Sequence, residues 1–281
     1  MCGRSVLRSC ASEVALDMAI APSSRKSLVK AMWSASGTGS EAVLPGVIVP
    51  DSHVEFVFHL KDTWRMRCVD QQEWRPQASA FVFAQSHGAL RFDADGATSL
   101  VAFRVTPVVA AAILGRPTHD IWNEPVALRE LVGSEADGLC ESLSGCVNHE
   151  GFSILESWIQ RRLANWGAEH FNLQRLFSRV MWSSPAGGLA SLSKQLGWSD
   201  RGLRRVITQA TGLSPKDVQL AGRHLDACAL LRERPEIDIT EVAGRVGFFD
   251  HAAFTHSFRQ HLGMTPSQFC AESHAFYERR P

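Results

Sequence analysis

No stretch of 18 consecutive apolar residues occurs in the sequence, so nothing reads as a membrane span. The opening residues also lack the basic start and unbroken apolar run of a secretory leader, because Glu13 and Asp17 interrupt them. The expectation is a soluble, cytoplasmic chain with no membrane partner. The seven cysteines (Cys2, Cys10, Cys68, Cys140, Cys146, Cys228 and Cys270) contain no Cys-x-x-Cys pair and no zinc-type spacing. They read as reduced thiols used as core material. Catalytic signatures are missing as well: there is no Gly-x-Ser-x-Gly elbow, Walker loop, Gly-x-Gly-x-x-Gly run or His-Glu-x-x-His, and His149-Glu150 stands alone. The reading is therefore of a protein that is not an enzyme, with no catalytic residue, no metal and no cofactor.

Net charge is also missing, but the zero conceals an asymmetry. Residues 1–170 carry 15 Lys+Arg against 19 Asp+Glu, and residues 171–281 carry 14 against 10. The basic part is the one to examine for a polyanionic partner. The chain's 281 residues, 45% of them hydrophobic, suffice for two domains with separate cores.

What is present begins with a Ser- and Ala-rich start, residues 1–20, that reads as frayed or as an adventitious helix. Ser34 to Ser40 reads as a flexible loop. Short β-rich runs follow at Val47–Val49, Val54–Leu60, Ala80–Ala84, Ala89–Phe92 and Leu100–Thr106, with turns at Pro50-Asp51, Ser86–Gly88 and Asp93–Gly96. Regular spacing of short strands predicts a small barrel or a sandwich. Helices are predicted from Pro107 to Leu114 with Gly115 as the stop, from Ser134 to Val147 and from Phe152 to Trp166. Asn165-Trp-Gly167 is the candidate linker. The fold class is thus α+β: a small cupin-like β-barrel with flanking helices over 21–167, then an all-α domain over 171–281.

That second domain contains an internal duplication. Leu192 to Pro215 and Val242 to Pro266 repeat a pattern in which Gly197 and Gly247 are 50 apart, while Gly212/Gly263 and Pro215/Pro266 are each 51 apart. In each copy a short helix stops at a glycine, an aromatic packs inward, and Ser199-Asp200 or Phe249-Asp250 opens a second helix as its cap region. These are helix-turn-helix units, near 189–212 and 239–263. Leu203, Val206 and Ile207 in one copy, and Phe254 and Phe258 in the other, fall at helical spacing toward the core. The outward faces then hold Arg201, Arg204, Arg205 and Thr208 in the first unit, and His251, Ala252, Thr255, His256 and Arg259 in the second. A long helix from Pro215 to about Arg232, with Val218, Leu220, Leu225, Leu230 and Leu231 as its apolar stripe, joins the units across about 27 Å.

The segment Leu189–Phe269 resembles the AraC/XylS-type regulator domain. The pattern of Ala243, Gly247, Phe248, Asp250, Phe254, Phe258, Gly263 and Pro266 carries the resemblance most specifically. It implies seven helices in two helix-turn-helix subdomains joined by a central helix, and a regulator that binds double-stranded DNA. It also implies base-reading places at Arg201, Arg204 and Arg205 and at His251, Ala252, Thr255 and His256. Ala252 lacks the longer polar side chain common at its place, and His256 stands where arginine is frequent. The first unit is therefore expected to read bases and the second to contribute more phosphate contact or shape fit.

The front half resembles, more faintly, the β-barrel sensor-like domain of some such regulators, through Val49-Pro-Asp51 and Val101–Pro107. Small-molecule control, a homodimer, and RNA polymerase contact in an activator are implied possibilities. Any effector would enter a barrel lined by the Val54–Leu60 and Leu100–Val105 strands, Phe58 and Phe103 included; whether that barrel is filled stays open. Two other classes compete. His53, His59 and His87 in the β-rich part prompt a cupin-like metal-dependent enzyme, but they lack the His-x-His spacing of such sites. A nonspecific DNA-coating protein would need the cation excess that this chain lacks.

Overall fold

The computed structural model describes residues 6–8, 15–19, 28–38, 48–94, 96–146, 150–183 and 188–278. The front part holds ten strands: β1 (Val6–Arg8), β2 (Ala15–Ala19), β3 (Val29–Thr38), β4 (Val54–His59), β5 (Arg65–Cys68), β6 (Arg75–Pro76), β7 (Ala80–Ala84), β8 (Leu90–Asp93), β9 (Ala97–Val105) and β10 (Val126–Ala127). They divide into a seven-stranded antiparallel sheet, in the order β1-β2-β3-β9-β4-β7-β10, and a three-stranded one, β6-β5-β8. Among the described residues the same part holds four α-helices, α1 (Pro107–Leu114), α2 (Leu128–Val132), α3 (Glu135–Leu143) and α4 (Glu150–Arg162), and a short 3-10 turn at His119–Ile121.

The central strands β4, β7 and β9 are apolar almost throughout because both of their faces are buried. Val57, Phe81, Phe83, Leu100 and Ala102 face the small sheet and meet Trp64, Met66 and Leu90. The alternate residues Val54, Phe56, Phe58, Val82, Val101 and Phe103 face α1 and α4 instead. Phe58 and Phe103 therefore do not line the space between the sheets. Phe56 stacks on Phe103 at 4.5 Å between centroids, and Trp158 of α4 packs on both at 6.2 Å. Uninterrupted apolar runs carry no mark of which alternate set faces which layer, and that is why the sequence reading put these two rings on the wrong side.

Two further expectations change. Where a frayed start was expected, residues 6–8 and 15–19 are strands continuing the sheet beyond β3. Ser34 and Ala35, expected in a flexible loop, sit 1% exposed within β3, between β2 and β9. Small residues fit there because the strand has a neighbour on each side, so packing overrides composition. The Cys2 and Cys10 readings lie outside the described residues. Of the described cysteines only Cys228 is fully buried, where burial raises its thiol to about 12; Cys68, Cys140, Cys146 and Cys270 are half-buried.

Seven helices make the back part: α5 (Ala168–Met181), α6 (Gly188–Leu196), α7 (Asp200–Thr211), α8 (Pro215–Glu233), α9 (Ile239–Arg245), α10 (His251–Leu262) and α11 (Pro266–Glu278). One core joins Phe177, Val180, Leu192, Leu203, Ile207 and Val218. A second joins Cys228, Leu231, Val242, Phe254, Phe258, Leu262 and Phe269. Helix α8 passes from one core to the other, and so buries more than a single stripe: Leu220, Leu225 and Leu230 are only half-buried, whereas Ala221, Gly222, His224 and Ala227 are buried. Its 19 residues span about 28 Å.

Candidate nucleic-acid interface

Each helix-turn-helix unit is set by a capped second helix. Ser199 Oγ accepts from Gly202 N at 3.1 Å to open α7, and Asp250 Oδ1 accepts from Ala253 N at 2.7 Å to open α10. The turn glycines Gly197 and Gly247 have φ of 68° and 80°, as the sequence pattern requires. Asp200 also accepts a hydrogen bond from Ser193 of α6, which fixes the first helix against the second.

Burial of Leu203, Ile207 and Thr211 turns the opposite face of α7 outward, leaving Arg201, Arg204, Arg205 and Thr208 exposed. Among the described residues no ion pair engages the three arginines. In α10, burial of Phe254, Phe258, His261 and Leu262 leaves His251, Ala252, His256 and Arg259 exposed. Thr255 is half-buried, with its Oγ1 3.3 Å from His251 Nε2. The nine sequence-selected residues thus fall on the outward faces of two second helices.

The tails of the same two helices are held by the front part, which the sequence reading did not foresee. A helix leaves its last carbonyls without intrahelical donors. Thr211 O at the end of α7 accepts from Trp122 Nε1 at 2.8 Å and from Thr118 Oγ1 at 3.1 Å. At the end of α10, His261 O accepts from Gly88 N at 2.6 Å and Leu262 O accepts from Ala89 N at 2.8 Å. The tail glycines permit this approach. A Cβ on Gly212 would lie 2.9 Å from His119 Cα, and one on Gly263 would lie 3.0 Å from Val69 Cγ2; both have φ near the left-handed value, 74° and 77°.

Asn123 ties the two docking loops together: its Oδ1 accepts from Ser86 N at 2.9 Å, and its own N donates to Ala84 O at 2.6 Å. Beside the first dock, a cavity of about 410 Å³ at the front-back junction is lined by Arg162, Trp166, His170 and Gln209. A smaller one of about 360 Å³ places Asp70 and His87 of the front part alongside His256 and Arg259. No local signal in the sequence marks Trp122, Thr118 or Asn123 for this work.

A half-buried ion cluster holds the strand end next to these docks. Arg104 Nη1 lies 2.7 Å from Asp51 Oδ2, and Arg104 Nε donates to Glu55. Burial alone would raise the Asp51 carboxyl, but Arg104 and His53 hold it well below the usual range. His53, with Nδ1 2.9 Å from Asp51 O, His59, with Nε2 2.9 Å from Gln77 Oε1, and His87, with Nδ1 3.2 Å from Ser86 Oγ, each have their own protein partner. Among the described residues no three His, Cys, Asp or Glu side chains gather as metal ligands.

A family model described as a helix-turn-helix domain matches residues 192–272, from within α6 into α11, and so takes in α7 to α10 and the exposed faces of both second helices. The C-terminal third is an AraC-type helix-turn-helix domain. The chain is 33% identical over 81 residues to the Msm operon regulatory protein of Streptococcus mutans, a match that covers about 29% of this chain and 29% of that relative's length. To the HTH-type transcriptional regulator ExsA of Pseudomonas aeruginosa it is 23% identical over 201 residues, covering 69% of this chain and 68% of that one. Among solved structures, ToxT from Vibrio cholerae aligns over 86% of this chain and 96% of its own, at 8% identity and a TM-score of 0.41. No helix among the described residues is long and apolar enough to cross a membrane.

Proposed function

We propose that the chain is a sequence-specific transcription regulator that binds double-stranded DNA with α7 and α10. The observation that carries this reading is the pair of capped second helices, with all their sequence-selected residues except half-buried Thr255 exposed, within an AraC-type domain. On this reading Arg201, Arg204 and Arg205 contact base edges, because a guanidinium bonds guanine O6 and N7 in pairs. Thr208, His251, Ala252, Thr255 and His256 complete the two faces. Arg259, near the tail of α10, contacts phosphate. Helix α8, about 28 Å long, is somewhat shorter than the roughly 34 Å between successive major grooves on one side of B-DNA, so the two second helices enter successive grooves by sitting somewhat outside its ends.

The front part controls the back part, directly or by pairing two copies, because it grips both second helices at their tails. A small molecule that prefers the gripped or the released arrangement would shift DNA affinity. An activator of this kind would also contact RNA polymerase.

The test is selection of a binding site from randomised duplexes with the full chain, followed by titration against salt and the Arg204→Ala variant. A log-linear fall of affinity with salt is expected. Arg204→Ala should lose about 1–3 kcal/mol of discrimination at one position. Arg259→Ala should weaken all sequences alike. Failure to enrich any sequence, or an unchanged specificity profile in Arg204→Ala, refutes the assignment.

A further inference from the structure

The two helix-turn-helix units differ by one residue, and the structure shows where it lies. From capping residue to tail glycine they run in step, Ser199 to Gly212 and Asp250 to Gly263. From turn glycine to capping residue they do not: Trp198 alone separates Gly197 from Ser199, whereas Phe248 and Phe249 separate Gly247 from Asp250. The longer second turn accounts for turn glycines 50 apart and tail glycines 51 apart.

Phe248 takes the inward place, stacking on His224 at 5.9 Å and meeting Phe254 edge-on at 5.4 Å. Phe249, the additional residue, is 99% exposed. A phenyl ring fully in water contributes nothing to this fold, and all of its burial is still to be gained on association. It stands immediately before the cap of α10, and the exposed Ala252 and Ala253 follow it on the first turn. No lysine or arginine occurs in α10 before Arg259. Apart from His251, the exposed side chains at the leading end of this helix are therefore apolar, unlike those of α7, which carries Arg201, Arg204 and Arg205.

The leading end of a groove-entering helix meets base edges, and the major groove offers one apolar feature there, the C5-methyl of thymine. We infer that Phe249 packs on a thymine methyl, with Ala252 beside it, and that the second unit selects thymine where the first selects guanine. This inference rests on the reading of α10 as a DNA-entering helix. It also changes the part played by the second unit, from phosphate and shape contact to direct readout.

The experiment uses the full chain and the duplex recovered by selection, with each thymine of the site replaced singly by deoxyuridine. Removing one contacted methyl should weaken the wild-type protein about fourfold, the loss expected for one buried methyl-sized group. Phe249→Ser, whose fold is checked by thermal melting, should bind thymine and deoxyuridine duplexes equally at that position, while Phe249→Leu should keep most of the difference. If no thymine is sensitive, or if Phe249→Ser keeps the wild-type ratio, the ring serves another purpose, such as a protein partner, and the inference is wrong. If Arg204→Ala shifts specificity while Phe249→Ser does not, the DNA-binding reading stands and this inference alone falls. Failure of the full chain to select any duplex removes both.

Discussion

Lowering the pH from 7 to 5 should destabilise the second helix-turn-helix unit through two histidines. His224 of α8 and His261 of α10 lie 4.5 Å apart between ring centroids, 1% and 8% exposed. Burial, followed by the His261 and Arg223 charges, pushes His224 down to about 2. Burial and His87 push His261 down to about 4, with the Pro50 carbonyl and Asp217 opposing in part. In the unfolded chain both rings titrate near 6.5. Both folded values lie below the unfolded one, so the unfolded chain binds more protons as the pH falls. Their contribution is complete above about pH 6.5, declines below it, and is fully lost only below the folded values. At pH 5 each ring costs roughly 2 kcal/mol, and the pair roughly 4 kcal/mol, a large part of a typical folding stability. The assay is urea unfolding followed by circular dichroism between pH 7 and 5, for wild type and for the His224→Leu/His261→Leu double variant. Between pH 6 and 5 the wild-type stability should fall more steeply than the variant's by nearly two protons, roughly 2.5 kcal/mol per pH unit. Parallel curves would show that these rings already share the unfolded chain's protonation, and would refute the argument.

Gly222→Ala should destabilise the AraC-type domain by several kcal/mol, on the order of a severe core overpacking, because its Cβ would lie 2.2 Å from Met181 O where α8 crosses α5; an unchanged melting temperature would contradict this. Asn123→Gly keeps the positive φ of 63° but removes the side chain that joins the two docking loops. It should speed proteolysis at Asn165-Trp-Gly167 and raise amide exchange at Gly212 and Gly263 together. Faster exchange at only one tail would mean that the docks are independent.

The back part was legible because its signals are local. Capping residues, positive-φ glycines and the 50- and 51-residue offsets each act within one turn, and the caps at Ser199 and Asp250 form where the pattern required them. The front part was legible only where a run was long and apolar: β7 falls on Ala80–Ala84 as expected, and α1 runs from Pro107 to Leu114. Strand β5 alternates polar and apolar residues only over Arg65–Cys68, the shortest run that signals a strand, and it was not read as one. The faces of Phe58 and Phe103 required knowledge of the layers. At the interface, exposure of all the chosen side chains except half-buried Thr255 followed from helical period. The tail docks did not, because they join residues about 90 to 175 positions apart through backbone carbonyls, which no side-chain pattern encodes.

The two docks are unequal in what mutation can reach. The tail of α7 is held by a tryptophan indole and a threonine hydroxyl, so single substitutions at Trp122 or Thr118 can weaken that hold by degrees. The tail of α10 is held by backbone N–H groups of Gly88 and Ala89, which every residue except proline supplies. Over generations of sequence drift the first unit's attachment is open to gradual adjustment, while the second unit's is nearly all-or-none. A lineage of such proteins would retune its response through the arginine-bearing helix and inherit the other attachment unchanged.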